Sequence, residues 1–184
     1  MAGRLFSLVG PSGAGKDTLL ARALAARPDI HFVRRVVTRP ERQNDEPFEG
    51  VSELEFLRRM HNNLFAFSWQ AHGLFYGIPK SELAGLETGQ DVIFNGSRAA
   101  LPGIRMRYPD LQILLVTANP EVRAKRLAGR GRESEANILQ RLKREAPLAA
   151  GLQAIEICNN HSVEHATEAL LQALEPVSAK RSIR

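Results

Sequence analysis

Short apolar runs alternate along the chain with longer segments in which apolar residues recur at helical spacing. The short runs predict strands at Leu5–Val9, 32–37, Val92–Asn95, Gln112–Thr117 and 154–158. The longer segments predict helices at 18–26, 98–108, 120–129, 135–145 and Val163–Leu174, with a short one at 81–86. Strands that alternate with helices indicate an α/β fold, a three-layer sandwich whose mostly parallel sheet is covered on both faces.

The middle of the chain interrupts this alternation. The segment Ser52-Glu53-Leu54-Glu55 is a capping box, which predicts a helix from there to about Asn62. The aromatic segment 64–76, broken by Gly73, indicates a small antiparallel patch. We interpret this region as a small insert in the α/β domain.

Composition narrows the class of protein. The 184 residues suit one domain, and no apolar run approaches the ~20 residues of a membrane helix. The start of the chain enters a strand directly and Cys158 is the only cysteine, so we expect a cytoplasmic protein without an internal disulfide. The net charge of +5 comes from arginine clusters that few aromatic residues accompany, which favours small phosphorylated ligands over nucleic acid.

The strongest chemical signal is the segment that joins the first strand to the first helix. It consists of Gly10, Pro11, Ser12, Gly13, Ala14, Gly15, Lys16, Asp17 and Thr18. Glycines at this spacing let main-chain N–H groups surround an anion, and the following helix directs its positive end at the same point. With Lys16 reaching the β- and γ-phosphates, the segment is a P-loop and predicts that ATP is bound.

One residue departs from the usual loop. A serine or threonine normally follows the lysine and binds Mg²⁺, whereas this chain has Asp17 there and Thr18 next. A carboxylate is a hard oxygen ligand, so we expect Asp17 to act beside Mg²⁺, directly or through water. The alternative is a helix N-terminal charge without a catalytic part.

Two arginine groups suit phosphate binding. Arg35, Arg39 and Arg42 surround the end of the second strand, at the edge where ligands of parallel sheets bind. Arg126 and Arg130 precede and enter a glycine-flanked turn, and Arg141 returns on the next helix, as in a lid that neutralises the transferred group. Solvated basic surfaces are the alternative for both groups. That alternative carries more weight for Arg123 and Lys125 of the same helix than for the other residues of the group.

Together these segments resemble the guanylate-kinase-like branch of the nucleoside monophosphate kinases. The resemblance covers the P-loop except Asp17, Thr38-Arg39, the turn Phe75-Tyr76-Gly77 and the spacing of Arg126, Arg130 and Arg141. It implies that Tyr76 holds the acceptor phosphate and that Asn159, after the last strand, lies near the adenine. Guanylate kinases carry a glutamate before that turn to read guanine, and this chain has no carboxylate in 67–73.

These departures resemble a narrower family, the ribose 1,5-bisphosphate phosphokinases. The similar segments are 10–20, 35–40, 69–79, 95–98 and 126–133. The resemblance implies transfer of phosphate from ATP to ribose 1,5-bisphosphate, which yields 5-phospho-α-D-ribose 1-diphosphate in phosphonate catabolism. His72, Asn95 and Arg98 are candidate contacts to the sugar or its phosphates, and Trp69 is expected in the core.

The resemblance also implies a domain organisation. A single P-loop kinase domain would have its core at about 4–30, 88–125 and 150–175, an acceptor-binding insert at 34–86 and a lid at 126–145. A homodimer is possible. The alternatives are a guanylate or other nucleoside monophosphate kinase and, in a different class, a kinase-like binding module without catalysis.

Overall fold

The computed structural model of the chain describes residues 2–41, 47–129 and 147–176. They form two compact units, the first containing the chain up to Ser7 and Pro28–Gln112, the second Leu8–Arg27 and the chain from Ile113 onward. The predicted division into core, insert and lid stays a prediction.

The described strands and helices follow each other as the apolar pattern predicts, with differences at a few ends. The strands are β1 (Leu5–Val9), β2 (His31–Phe32), β3 (Arg35–Val37), β4 (Phe48–Gly50), β5 (Phe65–Ala71), β6 (Leu74–Pro79), β7 (Val92–Asn95), β8 (Gln112–Thr117) and β9 (Ile155–Cys158). The helices are α1 (Lys16–Ala26), α2 (Glu53–His61), a 3-10 helix (Lys80–Leu86), α3 (Leu101–Arg107), α4 (Pro120–Ala128) and α5 (Val163–Leu174). The predicted helix at 135–145 lies outside the described residues.

The larger sheet has the strand order β2-β7-β1-β8-β9, and the boundary of the two units falls within β1 and β8. In the first unit β2 pairs in parallel with β7, with His31 opposite Val92. In the second unit β8 pairs in parallel with β9, with Thr117 opposite Cys158. The predicted α/β fold with a mostly parallel sheet is confirmed.

The strand predicted at 32–37 is two strands, which belong to different sheets. Val33 N still donates to Ile93 O at 3.0 Å, whereas Arg34 N donates to the carboxylate of Glu82 at 2.8 Å. The chain therefore leaves the first sheet at Arg34. Strand β3 then joins the four-stranded sheet of the first unit, whose order is β4-β3-β6-β5.

The antiparallel patch predicted at 64–76 is the hairpin of β5 and β6. Ala71 pairs with Leu74, and the two residues between them, His72 and Gly73, have φ values of 55° and 75°. Positive φ at both central residues is the geometry of a type I′ turn, which suits the twist of paired strands. Strand β4, which pairs in parallel with β3, was not predicted.

Apolar side chains hold each unit together. In the second unit, Leu19 and Leu20 of α1 and Leu170 and Leu174 of α5 are buried, as are Leu8 and Val9 at the end of β1. Each buried leucine contributes ~1.5–3 kcal/mol by removal from water. None of the helices in the described ranges combines the length and apolarity needed to cross a bilayer.

In the first unit, α2 packs Phe56 against Phe65 and Phe75, with ring centroids 4.7 and 5.5 Å apart. The helix begins as predicted, because the Ser52 hydroxyl accepts a hydrogen bond from Glu55 N at 3.2 Å. Ion pairs of a half-buried arginine also connect this helix to the neighbouring strand β4.

Arg59 of α2 bridges two carboxylates. Its NH2 group donates to Glu49 of β4 at 2.7 Å and its Nε donates to Glu55 at 2.8 Å. The hydrogen bond from Arg59 holds the pKa of Glu49 below its ordinary value of 4.5, and it does the same for Glu55 with help from Arg58. A lowered carboxyl pKa means that the unfolded chain binds more protons, so this network stabilises the fold above pH 4.5 and loses that effect as pH falls.

We therefore expect Arg59→Ala to lower the free energy of unfolding at pH 7 by about 1 kcal/mol or less, since all three groups are partly exposed. The difference from the wild type should shrink as pH falls below about 4.5. Urea denaturation between pH 3.5 and 7 measures both effects. Arg107→Ala, which removes an exposed arginine of α3, is the control, and a difference independent of pH would contradict the assignment.

Candidate active site

The P-loop connects β1 to α1 in the second unit. Strand β1 ends at Val9, and α1 begins at Lys16 with Gly15 as its N-cap. Gly15 has φ 91°, and a Cβ there would lie 2.5 Å from Asn159 Nδ2, so only glycine fits. The positive end of α1 therefore adjoins the loop directly, which is the arrangement of anion sites at helix N-termini.

Side-chain donors hold the loop's carbonyl groups. Lys16 Nζ donates to Gly10 O at 2.9 Å and to Pro11 O at 3.3 Å. Arg123 Nε of α4 donates to Ser12 O at 3.0 Å. Because the N–H and C=O of a trans peptide point in opposite directions, a donor that fixes a carbonyl also orients the next amide.

The carbonyl of Ala14 is held by two side chains. Asn159 Nδ2, just after β9, donates to Ala14 O at 2.8 Å, and Arg126 NH1 donates to the same oxygen at 3.3 Å. Arg126 NH2 also lies 3.4 Å from Asn159 Oδ1. The structure therefore brings together Lys16, Arg126 and Asn159 around the loop, as members of one hydrogen-bonded group.

Asp17 and Thr18 occupy the first turn of α1 and both are exposed. A carboxylate and a hydroxyl next to the phosphate-binding lysine are oxygen donors of the type that Mg²⁺ prefers. No cluster of three or more His, Cys, Asp or Glu that could hold a metal occurs in the described ranges. Such a cluster is not needed, since Mg²⁺ is commonly bound through one or two carboxylates together with substrate phosphates.

The predicted acceptor residues lie in the first unit, around the β5–β6 hairpin. Arg35 NH1 donates to the main-chain oxygen of Asn95 at 3.0 Å, and its guanidinium lies 5.5 Å from the ring centroid of Tyr76. Tyr76 stacks on Trp69 of β5, with centroids 5.4 Å apart and an interplanar angle of 5°. The half-buried Trp69 is thus a neighbour of the predicted site as well as part of the packing.

Neighbouring contacts fix β3 against β6. Thr38 Oγ1 accepts a hydrogen bond from Phe75 N at 2.9 Å, and Thr38 N donates to Phe75 O at 3.1 Å. This exchange sets the position of Tyr76, the next residue. Arg39 packs its guanidinium over the ring of Phe48 at 4.6 Å.

The remaining predicted residues are placed as follows. His72 is exposed at the tip of the hairpin turn, and Arg98 is half-buried after β7. Arg42, Arg130 and Arg141 lie outside the described residues, as does most of the predicted lid. The roles of all these residues remain predictions.

The alternative of a solvated face is wrong for Arg123, which is 1% exposed, and fits Lys125, which is exposed two residues later. A signal was present in the sequence, because Arg123 precedes the apolar Leu127 by four residues and so shares its helix face. Leu127 is buried.

An open groove of about 550 Å³ also lies in the first unit, among Met60 of α2, Phe67 of β5, and Ile104 and Arg107 of α3. Of the predicted site residues that the structure describes, none lines it. Trp69, which stacks on Tyr76, is among the residues that line it, so the groove adjoins the Arg35–Tyr76 cluster.

The chain is similar to known kinases. Residues 2–177 match the guanylate kinase family. A ribose 1,5-bisphosphate phosphokinase of Agrobacterium fabrum is 44% identical over 172 residues, which cover 91% of this chain and 94% of that protein. A bifunctional ribose 1,5-bisphosphokinase-thymidine phosphorylase of Cupriavidus necator is 43% identical over 94% of this chain, which spans only 29% of that longer protein.

Among solved structures, the guanylate kinase of Anaplasma phagocytophilum superposes with a TM-score of 0.67 and 19% identity, over 98% of this chain and 87% of that one. This likeness shows the fold. With the family match over nearly the whole sequence, it leads to one conclusion: the chain belongs to the guanylate kinase family of P-loop kinases.

Proposed function

We propose that the chain transfers the γ-phosphoryl group of ATP to the 1-phosphate of ribose 1,5-bisphosphate, giving ADP and 5-phospho-α-D-ribose 1-diphosphate. The names of the relatives that match over most of their length support this proposal. The main observation that supports the proposal is the amino-acid composition of the β5–β6 hairpin.

From Phe65 to Pro79 the hairpin has no aspartate or glutamate. Its Tyr76 instead contacts the guanidinium of Arg35. Guanine presents N–H donors, which would find no carboxylate acceptor in such a site. Leaving them unpaired would disfavour guanine as acceptor by several orders of magnitude. A sugar that carries two phosphates needs cations and hydroxyl partners, which this surface offers.

On the ATP side, Lys16 and the main-chain amides of Gly13–Lys16 would bind the β- and γ-phosphates. Phosphate oxygens would then replace the carbonyls of Gly10 and Pro11 as partners of Lys16. Arg126, with Arg130 and Arg141 in the proposed lid, would neutralise charge on the transferred group.

On the acceptor side, Arg35, Arg39, Arg42 and Tyr76 would hold the phosphates, with His72, Asn95 and Arg98 near the sugar. An oxygen of the 1-phosphate attacks the γ-phosphorus while the bond to the β,γ-bridging oxygen breaks, and ADP leaves with that electron pair. The attacking oxygen is already ionised near neutral pH, so positioning matters more than a general base.

Asp17 and Thr18 would hold Mg²⁺ together with the phosphates of ATP. The ion would supply positive charge at the phosphates. Asp17 would then place its negative charge beside a cation instead of directly beside polyphosphate.

We also propose a cellular compartment, a class of ligands and an oligomeric state for the enzyme. An exposed single cysteine, Cys158, suits the reducing cytoplasm. We propose small phosphorylated ligands without a nucleic-acid or membrane partner, and a homodimer that size-exclusion chromatography with light scattering would detect.

The substrate can be tested directly. The protein would be incubated with MgATP and one acceptor at a time: ribose 1,5-bisphosphate, GMP, AMP or dTMP. We expect rapid ADP release with ribose 1,5-bisphosphate only. Lys16→Met should lose ~10³-fold or more of this rate, because the γ-phosphate loses its main cation. Lys80→Met, an exposed lysine, is the control. Rapid turnover with GMP alone would reassign the chain to the guanylate kinases.

The metal role of Asp17 predicts a change in Mg²⁺ dependence. Asp17→Asn should raise the Mg²⁺ concentration for half-maximal rate about 10- to 100-fold, since loss of a group in a metal's ligand shell has effects of this size. Asp110→Asn, an exposed turn residue, should leave the Mg²⁺ curve unchanged. An unaltered curve for Asp17→Asn would leave the residue as a helix N-terminal charge.

Substitution of Arg35 should weaken binding of the acceptor and leave binding of ATP unchanged. We expect Arg35→Met to raise KM for ribose 1,5-bisphosphate about 10- to 100-fold through the lost charge-assisted bonds, with KM for ATP unchanged. Arg34→Met removes the same charge from the neighbouring, exposed position that pairs with Glu41. Equal effects of the two substitutions would show that Arg35 acts only through general charge.

A further inference from the structure

Trp69 lies directly opposite Tyr76 in the β5–β6 hairpin. Residues that face each other on paired strands put their side chains on the same side of the sheet. The indole and phenol rings are almost parallel, with an interplanar angle of 5° and a centroid separation of 5.4 Å. Parallel rings at that separation are offset-stacked, an arrangement that their quadrupoles favour. Trp69 is thus the stacking partner of the residue expected to hold the acceptor phosphate.

The strand order gives Tyr76 a second neighbour on its other side. Strand β6 lies between β5 and β3. Trp69 therefore approaches the Tyr76 ring from one adjacent strand, and Arg35 approaches it from the other, with the guanidinium carbon 5.5 Å from the ring centroid. A displacement of the indole would move the phenol ring, and with it the surface that Arg35 contacts.

Stacking also restricts where the Tyr76 hydroxyl can lie. Two torsions place a tyrosine ring, and the torsion next to the ring has broad minima. Tyr76 is only half-buried, so general packing restricts these torsions in part. A parallel ring restricts both, because tilting away from it loses contact and tilting towards it brings atoms into collision. A ligand that binds the hydroxyl then loses less conformational entropy.

Packing alone would not need an indole at this position. Trp69 lines the open groove of the first unit, and its stacking on Phe67 is looser, with centroids 6.4 Å apart. A leucine would cover much of the same sheet surface, but it has no flat face to set against Tyr76. The feature that distinguishes Trp69 is therefore its ring face.

We propose that Trp69 is a positioning residue of the acceptor site, which acts through the ring of Tyr76 to place the Tyr76 hydroxyl and the Arg35 guanidinium for a phosphate group of the acceptor. The inference rests on the proposed function in that Tyr76 and Arg35 bind that phosphate. It does not require Trp69 to touch the ligand.

Calorimetric binding of the acceptor without ATP tests the proposal. Trp69→Leu should raise the Kd for ribose 1,5-bisphosphate about 10-fold, whereas Trp69→Phe, which keeps a ring, should stay within about threefold of the wild type. The Kd for ATP should be the same in all three proteins, since the P-loop belongs to the second unit. Equal acceptor Kd values in the Leu and Phe variants would overturn the proposal.

Two further variants separate this role from packing. Phe56→Leu removes a ring from a different stack of the same unit and should leave the acceptor Kd within about twofold of the wild type. Tyr76→Leu removes the ring through which Trp69 would act. Adding Trp69→Leu to that variant should therefore change its Kd by no more than about twofold, and full additivity of the two single effects would contradict the inference.

Trp69 is the only tryptophan of the chain, so its emission gives a test that needs no substitution. Ribose 1,5-bisphosphate should change the emission saturably, with the Kd found by calorimetry, and unchanged emission at saturation would count against the proposal. If the wild type binds GMP instead, the substrate assignment fails, and the same variants titrated with GMP decide the role of Trp69. If ribose 1,5-bisphosphate binds and the Leu and Phe variants agree, the substrate assignment stands and this inference fails.

Discussion

A loop that wraps its amides around phosphate must turn its carbonyls the other way, and each of those carbonyls needs a hydrogen-bond donor. In the second unit most of these donors are side chains: Lys16 for Gly10 and Pro11, Arg123 for Ser12, and Arg126 with Asn159 for Ala14, while Pro11 O also accepts from the amide of Ala14. Buried carbonyls without partners would cost ~1–3 kcal/mol each. The need for these donors places α4 and the end of β9 around the loop.

In the proposed reaction the first unit would meet a different requirement, that of holding cationic side chains in place beside the acceptor. Aromatic packing provides the rigidity: Phe56 of α2 stacks on Phe65 and Phe75, and Tyr76 stacks on Trp69. Each aromatic pair adds ~0.5–1.5 kcal/mol beyond its buried area. Arg35 lies against this stack, so its guanidinium has a defined place before any ligand arrives, which lowers the entropy lost on binding.

Features that depend on local sequence were predictable, and features that depend on distant partners were not. The P-loop, the Ser52 cap and the turn at His72-Gly73 follow from residues within a few positions of each other. The break after Phe32 depends on Glu82, about 50 residues away, which takes the Arg34 amide out of the sheet. The place of Asn159 on the loop depends likewise on Ala14, 145 residues earlier in the chain.

Arginines of the described ranges donate to two kinds of acceptor. One group donates to carboxylates, as in the pairs Arg4–Asp91, Arg22–Glu164 and Arg59–Glu49. The other group donates to main-chain carbonyls, as Arg35, Arg123 and Arg126 do. The second group includes Arg126 at the P-loop and Arg35 beside Tyr76, and also Arg27 and Arg105, which donate to Leu174 O and Leu111 O. A carbonyl contact thus holds a guanidinium in place wherever it occurs, and the ligand that the group meets depends on which loop or strand end surrounds it.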